Sequence, residues 1–202
     1  MITLGITGRS GCGKSTVSSI LKKNGVRCAD GDAVSQQILL PGSPLLPKLA
    51  EVYGEDILAA DGSLNRRLLA ERAFVSADAK RRLEELTHPE ILRRIREQKD
   101  RARLDGERLF LIDGALLIGT PFEKECDCIA AVTAPYEASI GRIMKRDGIS
   151  RESAVKRLAV QMPEEELVRR SDFEIRNDAG TAELEQKTLQ LVRLLLSRDR
   201  AH

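Results

Sequence analysis

The sequence predicts an α/β fold in which a five-stranded parallel sheet is flanked by helices. Two patterns support this prediction. Short apolar runs with the lengths of buried strands alternate along the chain with longer amphipathic segments. Acidic residues follow several of these runs, at the positions where ligands bind in open parallel sheets. A chain of 202 residues with these patterns is expected to form one domain, or one core with an insertion.

The composition argues against several classes of function. The net charge of +2 is too balanced to favour bulk binding to nucleic acid or to membrane surfaces. Aromatic residues make up only 3% of the chain, so a large stacking platform for single-stranded nucleic acid is not expected. No apolar run approaches the ~20 residues of a membrane span, and the early first strand leaves no room for a signal peptide. We therefore predict a cytoplasmic protein without a nucleic-acid partner, a membrane partner or an obligate protein partner.

The first strand and helix enclose the most specific motif of the chain. Ile2, Leu4 and Ile6 alternate along Met1–Thr7, as the residues of a buried strand do. Residues 8–15 then read Gly-Arg-Ser-Gly-Cys-Gly-Lys-Ser, which fits the phosphate-binding P-loop pattern G-x-x-x-x-G-K-[ST]. The backbone N–H groups of such a loop point at an anion, and the following helix adds the positive end of its dipole. The sequence thus predicts a P-loop NTPase-type fold.

This loop predicts a site for a nucleoside triphosphate and Mg²⁺. Lys14 would reach the β- and γ-phosphates, and the hydroxyl of Ser15 would ligate the metal. The helix would end at Asn24–Gly25. Cys12 lies inside the loop at a helix N-terminus, a position that lowers thiol pKa values, so sensitivity to oxidation is a further hypothesis. A chance match in a glycine-rich loop is the alternative to the whole interpretation.

Helical patterns dominate the stretch between the second strand and about residue 106. So many helices between two strands predict an inserted helical lobe and not a simple crossover. The predicted elements are a strand over Val26–Ala29, a helix over Ala33–Leu40, a helix that includes Leu45–Val52, a helix from the cap Asn65 through Phe74, a helix from the cap Ser76 to Thr87, and a new helix that begins at Pro89.

The remainder of the chain returns to alternating strands and helices. Strands are predicted at Leu109–Asp113, Cys128–Ala134 and Asp172–Ile175. The charged stretch from Pro135 to Arg170 is helical, and the last helix runs from Ala182 to about Ser197.

Two aspartates at strand ends are candidates for chemistry. Asp32 follows the second strand, so it could face a γ-phosphate and accept a proton from an acceptor hydroxyl. The alternative is that Asp30-Gly31-Asp32 is a turn with a helix cap. Asp113 ends an apolar strand, as a Walker-B carboxylate does, and could hold Mg²⁺ or its water shell. Its alternative is a cap or turn residue.

Basic residues supply a second set of candidates. Arg142 and Arg146 stand four apart on a predicted helix, so both guanidinium groups could clamp phosphates. A solvated charged face is the alternative, since Arg93, Arg94 and Arg96 are similarly crowded. Taken alone, His88 beside a proline fits a helix entry as well as a site.

The order of these motifs along the chain resembles the dephospho-CoA kinase family. The match covers nearly the whole chain, and the series is far more specific than the P-loop alone. The motifs that carry it are residues 7–16, Ala29-Asp30-Gly31-Asp32, Pro41-Gly42-Ser43-Pro44, Leu64-Asn65-Arg66, His88-Pro89, Leu116-Leu117, Arg142 with Arg146-Asp147, Gln161, and Asn177-Asp178-Ala179-Gly180.

The resemblance implies an enzyme that uses ATP to phosphorylate the ribose 3′-hydroxyl of dephospho-CoA, the last step of coenzyme A synthesis. It implies a helical acceptor-binding lobe and a helical lid. By resemblance, Asp32 is the base, Lys14 and Arg142 act on the phosphates, and the acceptor lobe presents Asn65, Arg66 and His88. The implied ATP-binding residues are Gly8, Gly11, Cys12, Gly13, Lys14, Ser15, Thr16, Arg146 and Asn177, and the implied metal ligands are Ser15 and Asp113.

The same resemblance divides a single domain of residues 1–202 into three parts. The core is expected at about 1–35, 107–135 and 171–202, the acceptor lobe at about 36–106, and the lid at about 136–170.

The chain departs from the family pattern at several positions. The family's proline and acidic residue after the third strand are absent, since Ala115 and Gly119 stand there, which puts in doubt a carboxylate role at position 119. Cys12 replaces a common serine, and Gly31 replaces an alanine.

Three other functions stay open. Another small-molecule P-loop kinase, for a nucleoside or nucleoside monophosphate, is the first alternative. A GTPase-type switch is disfavoured because the guanine-reading Asn-Lys-x-Asp motif is absent. A nucleotide-binding scaffold without catalysis is the third.

Overall fold

A five-stranded sheet in the order β2-β3-β1-β4-β5 organises the computed structural model, which describes residues 1–115 and 117–198. β1 pairs in parallel with both β3 and β4, and β4 pairs in parallel with β5. The predicted parallel α/β sheet flanked by helices is confirmed. The strands are β1 (Ile2–Gly8), β2 (Arg27–Asp30), β3 (Leu109–Asp113), β4 (Cys128–Thr133) and β5 (Phe173–Arg176).

Helices make up most of the rest of the described residues. Two short 3₁₀ turns, Glu55–Ile57 and Pro121–Glu125, accompany them. None of the described helices combines the length and the apolar character that a membrane span requires. The helices are α1 (Lys14–Lys23), α2 (Gly31–Gln37), α3 (Leu45–Tyr53), α4 (Arg66–Ala73), α5 (Ala77–Leu104), α6 (Tyr136–Asp147), α7 (Arg151–Ala159), α8 (Glu164–Arg169) and α9 (Thr181–Arg198).

The chain divides into two compact units. The first comprises residues 1–29 together with the described residues from 99 onward, and it contains nearly all of the sheet. The second comprises residues 30–98 and is helical. The predicted lobe at about 36–106 overlaps most of this second unit, and α5 runs from one unit into the other.

The core of the first unit lies on the central strands of the sheet. All five residues of β3 are buried, as expected for a strand covered on both faces. Burial of each of its large apolar side chains, those of Leu109, Phe110, Leu111 and Ile112, stabilises the fold by about 1.5–3 kcal/mol. α1 and α9 contribute to one apolar cluster with the strands, whose buried members include Leu4, Ile6, Val17, Ile20, Leu21, Leu111, Val132, Ile175, Leu184, Leu191 and Leu195.

A smaller cluster holds α6 and α7 together within the same unit. Ile140 and Ile143 of α6 pack with Ala154 and Leu158 of α7, and all four are buried. Each pair is three or four residues apart, so it projects from one face of its helix. This hairpin therefore has a small core of its own.

The second unit is fastened by polar contacts as well as by apolar packing. The guanidinium of Arg72 on α4 binds both carboxylate oxygens of Asp56, at 2.6 and 2.7 Å, and also the carbonyl of Tyr53. The hydroxyl of Tyr53 in turn donates to the carbonyl of Ala79 at 2.7 Å. These bonds connect α3, α4 and the first turn of α5.

The predicted break at Pro89 is wrong. Residues Ala77–Leu104 form one continuous helix, α5, with Pro89 in its interior. Proline removes one backbone hydrogen bond and crowds the preceding turn, at a cost of roughly 3 kcal/mol. Ile91 and Ile95 are buried beyond the proline, so packing on the same helix face offsets this cost.

The second helix also begins earlier than predicted. The side chain of Asp30 accepts a hydrogen bond from Ala33 N at 3.0 Å and caps α2. The helix therefore starts at Gly31 and ends at Gln37, where Leu40 was predicted. The cap alternative for the Asp30-Gly31-Asp32 motif is thus realised by Asp30.

Removal of the α5 cap should measurably lower stability. The hydroxyl of Ser76 accepts from Ala79 N at 3.1 Å. We expect Ser76→Ala to lower the free energy of unfolding by about 1 kcal/mol, whereas Ser76→Asp, which keeps a capping oxygen, should lower it far less. Urea unfolding followed by circular dichroism measures both. Equal loss in the two variants would contradict the capping role.

Candidate active site

The predicted phosphate loop connects the end of β1 to the start of α1. Its glycines are required by close approaches. Gly11 and Gly13 have φ angles of 79° and 103°, in the region that favours glycine. A Cβ at Gly11 would collide with the backbone of Ser139 on α6, and one at Gly13 with the side-chain amide of Asn177. At Gly8 a Cβ would lie 2.6 Å from Cys12 Sγ.

The outward-facing carbonyls of the loop are held by two side chains from distant elements. The amide of Asn177, which follows β5, is buried and donates from Nδ2 to Cys12 O at 2.8 Å. The guanidinium of Arg142 on α6 donates to Gly11 O at 3.1 Å and to Cys12 O at 3.4 Å. Both contacts fix carbonyl groups in the second half of the loop, and the N–H of Cys12 donates to Arg9 O at 3.2 Å within the loop.

The first half of the loop is also held, by contacts that the sequence analysis missed. Gln161 accepts from Ser10 N at 3.0 Å and donates to Ser10 Oγ at 2.8 Å. Arg9 donates to Leu158 O at 2.5 Å. No local signal marks these pairs, because about 150 residues separate their members.

Lys14 and Asp113 form an ion pair at the carboxyl edge of the sheet. Asp113 ends β3 and lies in register with Ile6 of β1, so the strand order brings it beside the start of α1. The two side chains are only 17% and 8% exposed. Each charge is therefore neutralised by the other in a poorly solvated place, where removal of either partner is costly.

Oxygen donors suitable for a divalent metal lie at this edge. Ser15 is exposed in the first turn of α1, and Asp113 supplies a carboxylate. A hydroxyl and a carboxylate are hard ligands of the kind that Mg²⁺ prefers, with water and phosphate completing the shell. The donor set thus fits Mg²⁺, although the described residues contain no cluster of three or more His, Cys, Asp or Glu. Thr16 follows in the same turn and is half-buried.

Cys12 differs from its predicted chemistry. Its side chain is 1% exposed, and burial raises the pKa of the thiol to about 11, more than the neighbouring Lys14 lowers it. The thiolate, the reactive form, is therefore disfavoured. The expected lowering of the Cys12 pKa is wrong, because desolvation of the buried thiol outweighs the effect of Lys14.

Arg146 does not accompany Arg142 onto the loop. Its guanidinium binds Asp147 on the same helix, with distances of 2.7 and 2.9 Å. Asp147 also binds Arg157 of α7, and these two guanidinium groups lower the pKa of its carboxyl group to about 2. Of the two arginines predicted to clamp phosphates, the structure brings only Arg142 to the loop backbone.

The remaining candidates belong to the helical unit. Asp32 is exposed in the first turn of α2, and its carboxylate has no hydrogen-bond partner within residues 1–115 and 117–198. Asn65 caps α4 by accepting from Leu68 N at 3.1 Å, as predicted. Arg66 donates to Gln36 O at 3.2 Å. His88 is half-buried within α5, and this burial lowers its pKa.

The segment after β3 brings a carboxylate close to Gly119, where the chain has no acidic residue of its own. Gly119, with a φ of 82°, donates from its backbone N–H to Glu123 Oε2 at 2.7 Å. Glu123 pairs with Arg170 at 2.9 Å. A carboxylate thus reaches position 119 from four residues farther along the chain. Leu116, part of the sequence motif, lies outside the described residues.

Comparison with known proteins gives matches over nearly the whole chain. The family model described as dephospho-CoA kinase matches residues 2–183. A dephospho-CoA kinase of Anaeromyxobacter dehalogenans is 37% identical over 183 residues, which cover 91% of this chain and 86% of the relative.

Solved structures agree with the sequence matches. A crystal structure of a Thermus thermophilus protein superposes with a TM-score of 0.84 at 32% identity and covers 96% of both chains. A dephospho-CoA kinase from Campylobacter jejuni gives a TM-score of 0.64 at 26% identity, again over 96% of both chains.

The buried Cys12 thiol should resist alkylation in the folded protein. With a pKa of about 11, roughly one thiol in a thousand is ionised at pH 8, and burial further blocks access. We expect iodoacetamide to leave Cys12 unmodified with or without ATP, and to modify it in urea, as measured by peptide mass spectrometry. Rapid native labelling that ATP suppresses would restore the reactive-thiol hypothesis.

Proposed function

The chain belongs to the dephospho-CoA kinase family, and we propose that it transfers the γ-phosphoryl group of ATP to the ribose 3′-hydroxyl of dephospho-CoA, forming coenzyme A and ADP. The observation that carries the proposal is the phosphate loop, in which Gly11 and Gly13 admit no side chain and Lys14 sits beside Asp113. Such a site stabilises the charge of a transferring phosphoryl group.

The triphosphate half of the site uses the first unit. Loop N–H groups and Lys14 bind the phosphates, and Arg142 and Asn177 contribute to nucleotide binding from positions beside the loop. Arg146 contributes in this scheme only when its guanidinium leaves Asp147 for the nucleotide. Bound ATP attracts Lys14 away from Asp113, because a triphosphate offers more negative charge than one carboxylate. Ser15 and Asp113 would then hold Mg²⁺, which neutralises phosphate charge when bound.

The acceptor half uses the proposed acceptor lobe of roughly residues 36–106, together with Asp32, which precedes it in the chain. The unpartnered carboxylate of Asp32 accepts the proton of the 3′-hydroxyl as that oxygen attacks the γ-phosphorus. The bond from the γ-phosphorus to the β–γ bridging oxygen breaks, and its electron pair leaves with ADP. Asn65, Arg66 and His88 bind dephospho-CoA in this scheme, and residues 136–170 form the lid.

We also propose that the protein is located in the cytoplasm, on the ground of its cysteines. None of the four cysteines forms a disulfide, as is usual in reducing compartments.

A coupled assay with ATP, Mg²⁺ and a panel of acceptors tests the proposed kinase activity. The acceptors are dephospho-CoA, adenosine and nucleoside monophosphates. Preference for a nucleoside monophosphate would favour the alternative small-molecule kinase, and rapid hydrolysis of ATP without acceptor would favour an ATPase or switch.

Replacement of the proposed base tests the acceptor half. Asp32→Asn keeps the size and polarity of the side chain but cannot accept the proton, so we expect kcat to fall by at least about 100-fold with ATP affinity unchanged. Asp61→Asn, in an exposed turn of the same unit, is the matched control and should keep full activity. Near-normal turnover of Asp32→Asn would rule out its role as the base.

Replacement of the loop lysine tests the phosphate half. Lys14→Ala removes a positioned cation, and we expect kcat/KM to fall on the order of 100- to 1000-fold. Lys23→Ala, in the exposed last turn of the same helix α1, should leave the rate unchanged. Thermal unfolding separates lost chemistry from lost folding, because the variant also leaves the Asp113 carboxylate unpaired. A folded Lys14→Ala protein with normal kcat/KM would refute the assignment.

A further inference from the structure

Gln161 binds the first half of the phosphate loop through two hydrogen bonds, both to Ser10. Its Oε1 accepts from the backbone N–H of Ser10 at 3.0 Å, and its Nε2 donates to the hydroxyl of the same residue at 2.8 Å. A side-chain amide that uses both its acceptor and its donor on one residue fixes that residue in rotation as well as in position. The N–H of Ser10 is thus engaged in placing the loop.

The backbone of Gln161 is held in place at the end of α7. The backbone N–H of Gln161 donates to Leu158 O at 3.2 Å, and the guanidinium of Arg9 donates to the same carbonyl at 2.5 Å. Leu158 is 1% exposed in the α6–α7 cluster. A cation at the C-terminal turn of a helix is also favoured by the helix dipole. The end of α7 therefore has a defined place beside the loop.

Gln161 holds a part of the loop that the other two supporting side chains, Arg142 and Asn177, do not contact. Arg142 and Asn177 hold the carbonyls of Gly11 and Cys12, in the second half of the loop. Gln161 holds Ser10, immediately before them. Three side chains from separate parts of the chain thus support consecutive peptide groups from outside.

Hydrogen bonds, more than close packing, hold Gln161 in place. It is half-buried, and a pocket of about 280 Å³ lined by Arg9, Tyr136, Leu158 and Gln161 lies beside these contacts. Its loss therefore removes two hydrogen bonds without opening the main apolar core. An effect of Gln161 on ligand binding is separable from an effect on folding.

We propose that Gln161 is a positioning residue, which touches no substrate but holds the phosphate loop in its anion-binding conformation. The proposal rests on the proposed function for the identity of the nucleotide. Because the loop binds the β- and γ-phosphates, Gln161 supports affinity for ATP and ADP and contributes little to the affinity for AMP.

Titration calorimetry with Mg²⁺-ATP and with AMP tests the proposal. We expect Gln161→Ala to raise the Kd for ATP roughly tenfold, from the loss of two neutral hydrogen bonds, and to change the Kd for AMP by less than about twofold. The KM for dephospho-CoA and the thermal midpoint should stay close to the wild-type values. Gln186→Ala, an exposed glutamine on α9, is the matched control and should change none of these quantities.

A double-mutant cycle identifies Ser10 as the partner. Ser10→Ala should raise the Kd for ATP about threefold, and the double variant should bind no worse than Gln161→Ala, because both changes remove the same contact. Multiplied effects in the double variant, equal weakening of ATP and AMP, or unchanged ATP affinity would each overturn the proposal. If the wild-type protein fails to phosphorylate dephospho-CoA, the proposed function fails, while the ATP and AMP titrations still decide the role of Gln161.

Discussion

Backbone N–H groups that turn inward toward a phosphate leave their carbonyl groups turned outward, and carbonyls away from water need hydrogen-bond partners. This constraint organises the first unit around residues 8–15. Asn177 and Arg142 satisfy the carbonyls of Cys12 and Gly11, while Gln161 binds Ser10. The strand order of the sheet and the α6–α7 hairpin place these three donors on one short loop, so the loop is held before any nucleotide binds.

The two poorly solvated charges of the site, on Lys14 and Asp113, also satisfy each other. Lys14 and Asp113 neutralise each other in a place with little solvent, so neither charge is buried without a partner. In the proposed function, an anionic phosphate group would pair with Lys14 and a divalent cation with Asp113. The ion pair therefore stabilises the protein without ligand, and both groups stay able to bind one. The free energy of ligand binding must then include the cost of separating Lys14 from Asp113.

The elements with local signals were predictable, and the contacts between distant segments were not. Alternating apolar residues located β1, and an unbroken apolar run located β3 at Leu109–Asp113. The loop glycines followed from a motif with a known mechanism. Pro89 was misread because tertiary burial of Ile91 and Ile95 overrides a local helix breaker. Cys12 was misread because its burial depends on the packing of the loop against β4, which one sequence does not reveal.

The close approach of α6 to the loop restricts which sequence changes the protein can accept in evolution. A Cβ at Gly11 would meet the main chain of Ser139 and not its side chain. Ser139 is also buried, so a replacement there must be small as well as keep the helix path. An insertion or deletion between Pro135 and Arg142 would instead displace the helix backbone by about 1.5 Å per residue, against a neighbour that cannot recede. This turn of α6 is therefore constrained in its length and, at the buried positions Ser139 and Ile140, in its side chains.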